Sequence, residues 1–280
     1  ERTGTLYCPS IHSEVMIPLQ IKTRSSTVNI TAHDNLSNVL ISTQSSTKIA
    51  LPDRSVDYIF TDPPFGANRM YSEINFLWEA WLKVVTNEKE EAIENPARDK
   101  KLKDYKNLML LVFKEYYRVL KPGRWISIQF SNTKAVVWNT LQAIVAEAGF
   151  IVSSVSTLYK KQGSIEAYTS TTAVKQDLVI SAYKPSKQLE LIFSEQGDSV
   201  EGVWQFIDSH LKQLPISKPK GGSLEFVAER DPRILYDRMV AFYIGHNTPV
   251  PLSSGEFQAA LDDKYPVRDG MVFLPEQLAQ

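Results

Sequence analysis

The tetrapeptide Asp62-Pro63-Pro64-Phe65 closes the apolar run Val56-Asp57-Tyr58-Ile59-Phe60 and brings three kinds of group to one strand end. Asp62 is a carboxylate acceptor. The two prolines fix φ and remove two backbone donors, so the carbonyls around them can accept from a substrate rather than from a ladder neighbour. Phe65 adds an aromatic face. Together these groups suit an exocyclic amine on a nucleobase flipped out of its stack, with acceptors for both amine hydrogens and a ring to lie against the base. Gly66 follows, where the chain must come close to a ligand. A rigid loop after a buried strand would also explain four such residues. Their place between a strand and a long amphipathic helix favours a site.

The flanking elements follow from periodicity. Val39 to Thr43 is a short β-rich run; after the polar residues 44–47, Leu51-Pro52-Asp53 leads into the strand that bears the motif. Tyr71 to Val85 carries Ile74, Leu77, Trp78, Trp81, Leu82 and Val85 at helical spacing, with Ser72 as N-cap, which predicts a helix whose tryptophans enter the core. Thr86 to Lys106 has mixed charge and reads as an exposed excursion, either surface loop or lid. A second helix, with Met109, Val112, Phe113, Tyr116, Val119 and Leu120 on one face, is expected to stop at Lys121-Pro122-Gly123. Trp125 to Phe130 is the next strand, and Ser131 and Asn132 lie at its carboxyl end, the edge where open parallel sheets bind ligands. A helix from about Lys134 to Ala148, a strand from Phe150 to Leu158, a polar loop at 160–175 and a strand from Leu178 to Tyr183 complete the pattern. This order predicts an α/β fold with an antiparallel final strand.

Asp62-Pro63-Pro64-Phe65 resembles motif IV of the amino-methylating DNA methyltransferases, and Val119-Leu120-Lys121-Pro122-Gly123-Arg124-Trp125 is similar to the turn such enzymes place before their fifth strand. From Val39 to Tyr183 the chain resembles the C-terminal half of the class I, Rossmann-like methyltransferase sheet. The resemblance implies S-adenosylmethionine as cofactor and DNA, presenting a flipped adenine, as partner. It implies that the Asp62 carboxylate and the Pro63 carbonyl receive the target amine, with Pro64 stiffening the turn and Phe65 stacking. By the same resemblance Gly66 and Gln44 are cofactor-side candidates, and Ser131, Asn132, Lys160, Lys161 and Gln162 are substrate-side candidates. Asp rather than Ser at the first motif position tilts the expectation to adenine over the N4 amine of cytosine. Methylation of an RNA base, or a non-catalytic DNA-binding or assembly subunit, are the alternatives. Gly4-Thr5-Leu6-Tyr7-Cys8-Pro9-Ser10 and Lys161-Gln162-Gly163-Ser164 look like stretches of bacterial DNA methylases associated with restriction or phage defence.

The chain departs from that pattern in one respect. Relatives hold the cofactor with a glycine-rich turn after the first strand and an acidic residue after the second, yet no Gly-x-Gly occurs in the 280 residues. Residues 1–36 are too short and polar to supply two strands and two helices. The cofactor half is therefore expected upstream, downstream in a permuted order, or on a partner subunit, and the isolated chain is expected to be inactive. The opening Glu1-Arg2-Thr3-Gly4, without methionine, reads as a processed or truncated product.

The expected domains are a connecting segment at 1–36, the catalytic half at 37–185 and a helical domain at 186–280. In the last, Val203, Ile207, Leu211 and Leu214 mark one helix, Asp231-Pro232 starts another, Ser254 caps a third, and Asp269-Gly270 turns into a short strand. That order suits a partner-docking domain or a winged-helix-like module. The net charge of −1 argues against a broad sequence-independent grip on DNA. Basic surface must be local, at Lys100, Lys101, Lys103 and Lys106 or at Lys160 and Lys161. One cysteine, Cys8, excludes an internal disulfide and fits a reducing cytoplasm. The four histidines show no metal-ligand spacing, and no apolar run reaches membrane-spanning length.

Overall fold

A computed structural model describes residues 40, 44–67, 70–130, 135–159, 176–215, 217, 219–220 and 223–278. The chain divides into two units, Glu1–Ser45 and Ser46–Gln280. In the first, the described Leu40, Gln44 and Ser45 are exposed and without regular structure; the rest of the expected strand from Val39 to Thr43 lies outside the described residues. All elements below belong to the second unit, which includes the segment after residue 185.

Four strands form the sheet: β1 (Val56–Thr61), β2 (Leu120–Phe130), β3 (Ile151–Tyr159) and β4 (Gln176–Tyr183), in spatial order β1-β2-β4-β3. β1 and β2 run parallel with Ile59 opposite Ile126 and Thr61 opposite Ile128, while β4 is antiparallel to both β2 and β3. The fold is therefore α/β with an antiparallel strand inserted, as the element order predicted. β2 begins at Leu120, so Lys121-Pro122-Gly123 lies within the strand rather than before it. The reason is Gly123, whose φ of 74° lets the chain bulge while its N–H donates to the Lys184 carbonyl at 2.9 Å.

Helices α1 (Tyr71–Leu82), α2 (Leu102–Val119) and α3 (Ala135–Glu147) lie between the strands. Tyr105, Met109 and Phe113 of α2 and Val137, Leu141 and Ile144 of α3 meet Ile126, Ile128, Phe130, Ile180 and Ala182 in one core. Gly149, at φ 100°, ends the α3 segment where a Cβ would stand 2.9 Å from the Tyr117 ring, so any other residue would strain the backbone and displace that ring. The opposite face of the sheet, through Trp125, Ile151 and Tyr183, packs on the helices that follow: α4 (Lys187–Gln196), α5 (Val200–Gln213), α6 (Pro232–Gly245) and α7 (Ser254–Lys264). α4, capped by Ser186, has no counterpart in the sequence reading. The third cap is Ser253, one residue before the expected Ser254, and it makes a full capping box with Glu256. Two short hairpins, β5 (Pro219–Lys220) with β6 (Ser223–Leu224) and β7 (Val267–Arg268) with β8 (Met271–Val272), complete the unit with α8 (Pro275–Leu278).

Arg230, fully buried, ties this half together without a carboxylate: its guanidinium donates to the carbonyls of Val272 at 3.0 Å and Pro215 at 3.2 Å and to Gln277 Oε1 at 3.0 Å, over the Phe273 ring. Among the described residues no helix is long and apolar enough to cross a membrane, and no cluster of metal-ligating side chains occurs.

Candidate active site

The motif sits at the carboxyl end of β1, beside the carboxyl end of β2. Thr61, buried, shares a hydrogen bond with the Tyr116 hydroxyl of α2 at 3.3 Å, which fixes the strand where the turn begins. The chain then exposes Asp62 and buries Pro63. The Pro64 carbonyl accepts from the Tyr105 hydroxyl at 2.7 Å. Tyr105 is wholly buried, and desolvation, with Tyr71 adding to it, pushes its pKa up, so the hydroxyl is a permanent donor. One lone pair of the Pro64 carbonyl is therefore taken by the scaffold. No described donor reaches the Pro63 carbonyl, which is the less engaged of the two acceptors.

Phe65 is half-buried and meets Phe130 edge to face, centroids 5.1 Å apart, and Phe130 meets Trp138 in the same way at 5.3 Å. Gly66 has φ of 80°, and its segment bridges in parallel to Ile93, which is fully buried. Among the described residues a Cβ on Gly66 would meet Val137 at 3.8 Å, an ordinary contact, so within the protein it is the left-handed backbone that calls for glycine.

Residues 86–101 are largely exposed, as expected of a surface loop, and that bridge ties them to the motif. Ile93 anchors the segment beneath the motif, and α2 already begins at Leu102. Ser72 is a buried anchor rather than an N-cap; Met70 holds the N-cap position. The Ser72 hydroxyl donates to Glu91 at 2.8 Å and accepts from Arg98 at 2.8 Å, and Arg98 also pairs with Glu88 at 3.1 Å. A loop tied down by a partly exposed ionic network therefore flanks the motif.

The helical face of α1 is likewise corrected. Trp78 and Trp81 are 67% and 80% exposed, and Ile74, Leu77, Leu82 and Val85 face water too, because no described element lies over them. Of the candidate basic surface, Lys100 bonds the Glu91 carbonyl, Lys101 pairs with Asp99 at 3.5 Å and Lys106 with Glu147 at 3.3 Å. Ser131, Asn132, Lys160, Lys161 and Gln162 lie outside the described residues. Gln44 is exposed coil in the first unit.

Sequence reasoning missed Tyr105, Ile93 and a second brace. The signal for Tyr105 was present, since it precedes Met109 by four residues and so shares its helix face. The brace is Arg118, whose guanidinium holds Glu115 at 2.9 Å, Asp53, and the carbonyls of Ile49 at 2.8 Å and Leu51 at 2.9 Å, fixing the segment that feeds β1. Arg118, with help from the Ile49 N–H, holds the Glu115 carboxyl down to about 2.

The described residues do not fit a cradle for S-adenosylmethionine. The sequence holds no Gly-x-Gly, and the single motif glycine faces Val137 at ordinary contact distance. A cleft of about 410 Å³ lies at the other end of the parallel pair, lined by Arg54, Lys121, Pro122 and Lys187.

A family model described as DNA methylase, of the N6- and N4-methylating type, matches residues 56–229, more than half of the chain. The chain belongs to the DNA methylase family. The matched span of this methylase chain opens at the first residue of β1 and contains the motif, the Tyr105 brace and the whole sheet. No curated protein sequence is significantly similar to it. Among solved structures it is similar to a protein of Thermus thermophilus assigned as a DNA modification methylase, at 13% identity over 56% of this chain and 58% of that one, TM-score 0.29. It is similar also to SAM-dependent methyltransferases from Methanosarcina mazei, at 11% identity over 51% and 66%, TM-score 0.28. The PvuII DNA methyltransferase, cytosine-N4-specific, matches at 12% identity over 61% of each chain, TM-score 0.31. In each case less than two thirds of the other protein's length is matched, and likenesses this distant carry no argument about substrate.

Proposed function

We propose that this chain supplies the target-amine side of an S-adenosylmethionine-dependent DNA methyltransferase acting on N6 of a flipped adenine. The observation that carries the reading is the division of labour in the motif: Tyr105 engages the Pro64 carbonyl, while Asp62 and the Pro63 carbonyl stand at the strand end with no scaffold donor on the latter. An exocyclic amine is a poor nucleophile because its lone pair is delocalised into the ring. Hydrogen bonds from its two N–H groups to Asp62 and Pro63 would draw the nitrogen toward tetrahedral geometry and aim the lone pair away from the ring plane. Phe65, set edge to face against Phe130, would supply the ring that stacks on the base.

S-adenosylmethionine, bound by residues other than those described, would supply the methyl group. The chain alone should therefore bind the cofactor weakly. Losing several charge-assisted hydrogen bonds, each about 1.5–3 kcal/mol, moves a micromolar affinity beyond millimolar. The test of the catalytic reading is Asp62→Ala in the full-length polypeptide, followed by tritiated-methyl incorporation into adenine-containing duplex DNA and a melting curve. Loss of methyl transfer with an unchanged melt is the expected result; near-normal transfer would remove Asp62 from the reaction.

A further inference from the structure

α1 is an apolar helix that little else covers. Of its 12 residues only Ser72 is buried. Tyr71, Ile74, Trp78 and Trp81 recur at spacings of three, four and three, the repeat of a two-helix seam, and Leu77 and Leu82 flank them. Their exposures are 37, 43, 67, 80, 60 and 71% in that order. No charge falls in the stripe: Glu73 and Glu79 lie off it, turned to Arg98 and Thr86. A helix this short is marginal by itself in water, and one so apolar belongs against a partner.

We propose that this face is the seam of a symmetric dimer, α1 of one copy packing antiparallel on α1 of a second. The area fits. With aromatic side chains presenting about 150–250 Å² each, the stripe and its flanks leave roughly 600–800 Å² per copy in water, close to the ~800 Å² that a standard interface covers on each partner. The pattern is also self-complementary. Antiparallel pairing about Phe76 sets Ile74 against the partner's Trp78 and Tyr71 against the partner's Trp81, a smaller side chain against a larger one at each level. One twofold axis then covers both patches at once and closes the assembly. Because Ser72 is bonded to Glu91, two residues from the Ile93 anchor of the motif, the seam would brace the same loop in each copy.

The test is sedimentation velocity of the full chain over a wide concentration range. A concentration-dependent dimer is expected. Ile74→Glu or Trp78→Lys alone would bury an unpaired charge at the seam and weaken the dimer by about a hundredfold or more, with far-UV circular dichroism unchanged. The double variant Ile74→Glu/Trp78→Lys should recover association, since antiparallel packing sets each new carboxylate against the partner's new ammonium. A wild-type chain monomeric at every concentration, a dimer untouched by Trp78→Lys, or a double variant no better than the singles would each overturn the proposal.

Discussion

Replacing Tyr105 with Phe removes one oxygen from a fully buried ring and leaves the ring itself in place. The structure assigns that oxygen a single bond, to the Pro64 carbonyl at 2.7 Å. Without it a half-buried carbonyl loses its donor, which costs about 1–2 kcal/mol. At about 2–4 °C per kcal/mol for a unit of 150–250 residues, the melting temperature should fall by about 2–8 °C. The larger effect should be on turnover. Pro64 becomes a second acceptor beside Pro63, the target amine can bind in a nonproductive register, and a misplacement on the order of 1 Å costs on the order of 10²-fold in rate. The assay is kcat and KM for methyl transfer by the full-length polypeptide, with Phe113→Leu as control. Phe113 is buried on the same helix, and its replacement leaves the Tyr105 hydroxyl in place, so it should lower stability comparably and leave kcat nearly unchanged. Full turnover by Tyr105→Phe, or an equal loss of kcat in Phe113→Leu, would refute the assignment of Tyr105 as the residue that reserves Pro63 for substrate.

Arg230→Leu should lower stability by about 3–5 kcal/mol in urea denaturation, because the carbonyls of Pro215 and Val272 and the Gln277 amide oxygen lose a charged donor together; Arg230→Lys should recover only part of this. His210 is fully buried against the Tyr183 hydroxyl at 2.9 Å, and burial, with Arg238 and Arg230 adding to it, lowers its pKa to about 3. Its unfolded value is about 6.5, so its contribution is complete above that pH and is lost as pH falls toward 3; roughly 2–3 kcal/mol should disappear between about pH 6.5 and 4.5, and His210→Phe should flatten the stability profile there. Glu115, held down to about 2 by Arg118, acts lower: its contribution is present above its unfolded value of about 4.3 and fades as pH drops toward 2. Phe65→Ala should weaken binding of a duplex with a mismatch opposite the target base by about 1–3 kcal/mol, while Phe65→Tyr should retain it; equal binding by both would count against stacking.

The strand that carries the motif and the order of elements from Val56 through Tyr183 were legible in the residues themselves, because each rests on local chemistry. Prolines fix their own φ, and apolar periodicity follows from backbone geometry that neighbours in sequence already dictate. Asp231, adjacent to Pro232, announced its helix for the same reason. What required the tertiary structure was which acceptor is the less engaged. The bond between Tyr105 and Pro64 spans 41 positions of sequence, and nothing in either residue names the other. The bridge from Gly66 to Ile93 likewise turned a charged, loop-like stretch into a support, since one buried isoleucine outweighs the polarity around it. α1 shows the converse. Its spacing correctly specified an amphipathic helix, but periodicity says only that a face seeks cover, not what covers it, and within this chain no described element does. Period and turn chemistry are properties of a segment, whereas the partner of a carbonyl or of an apolar stripe is a property of the packing.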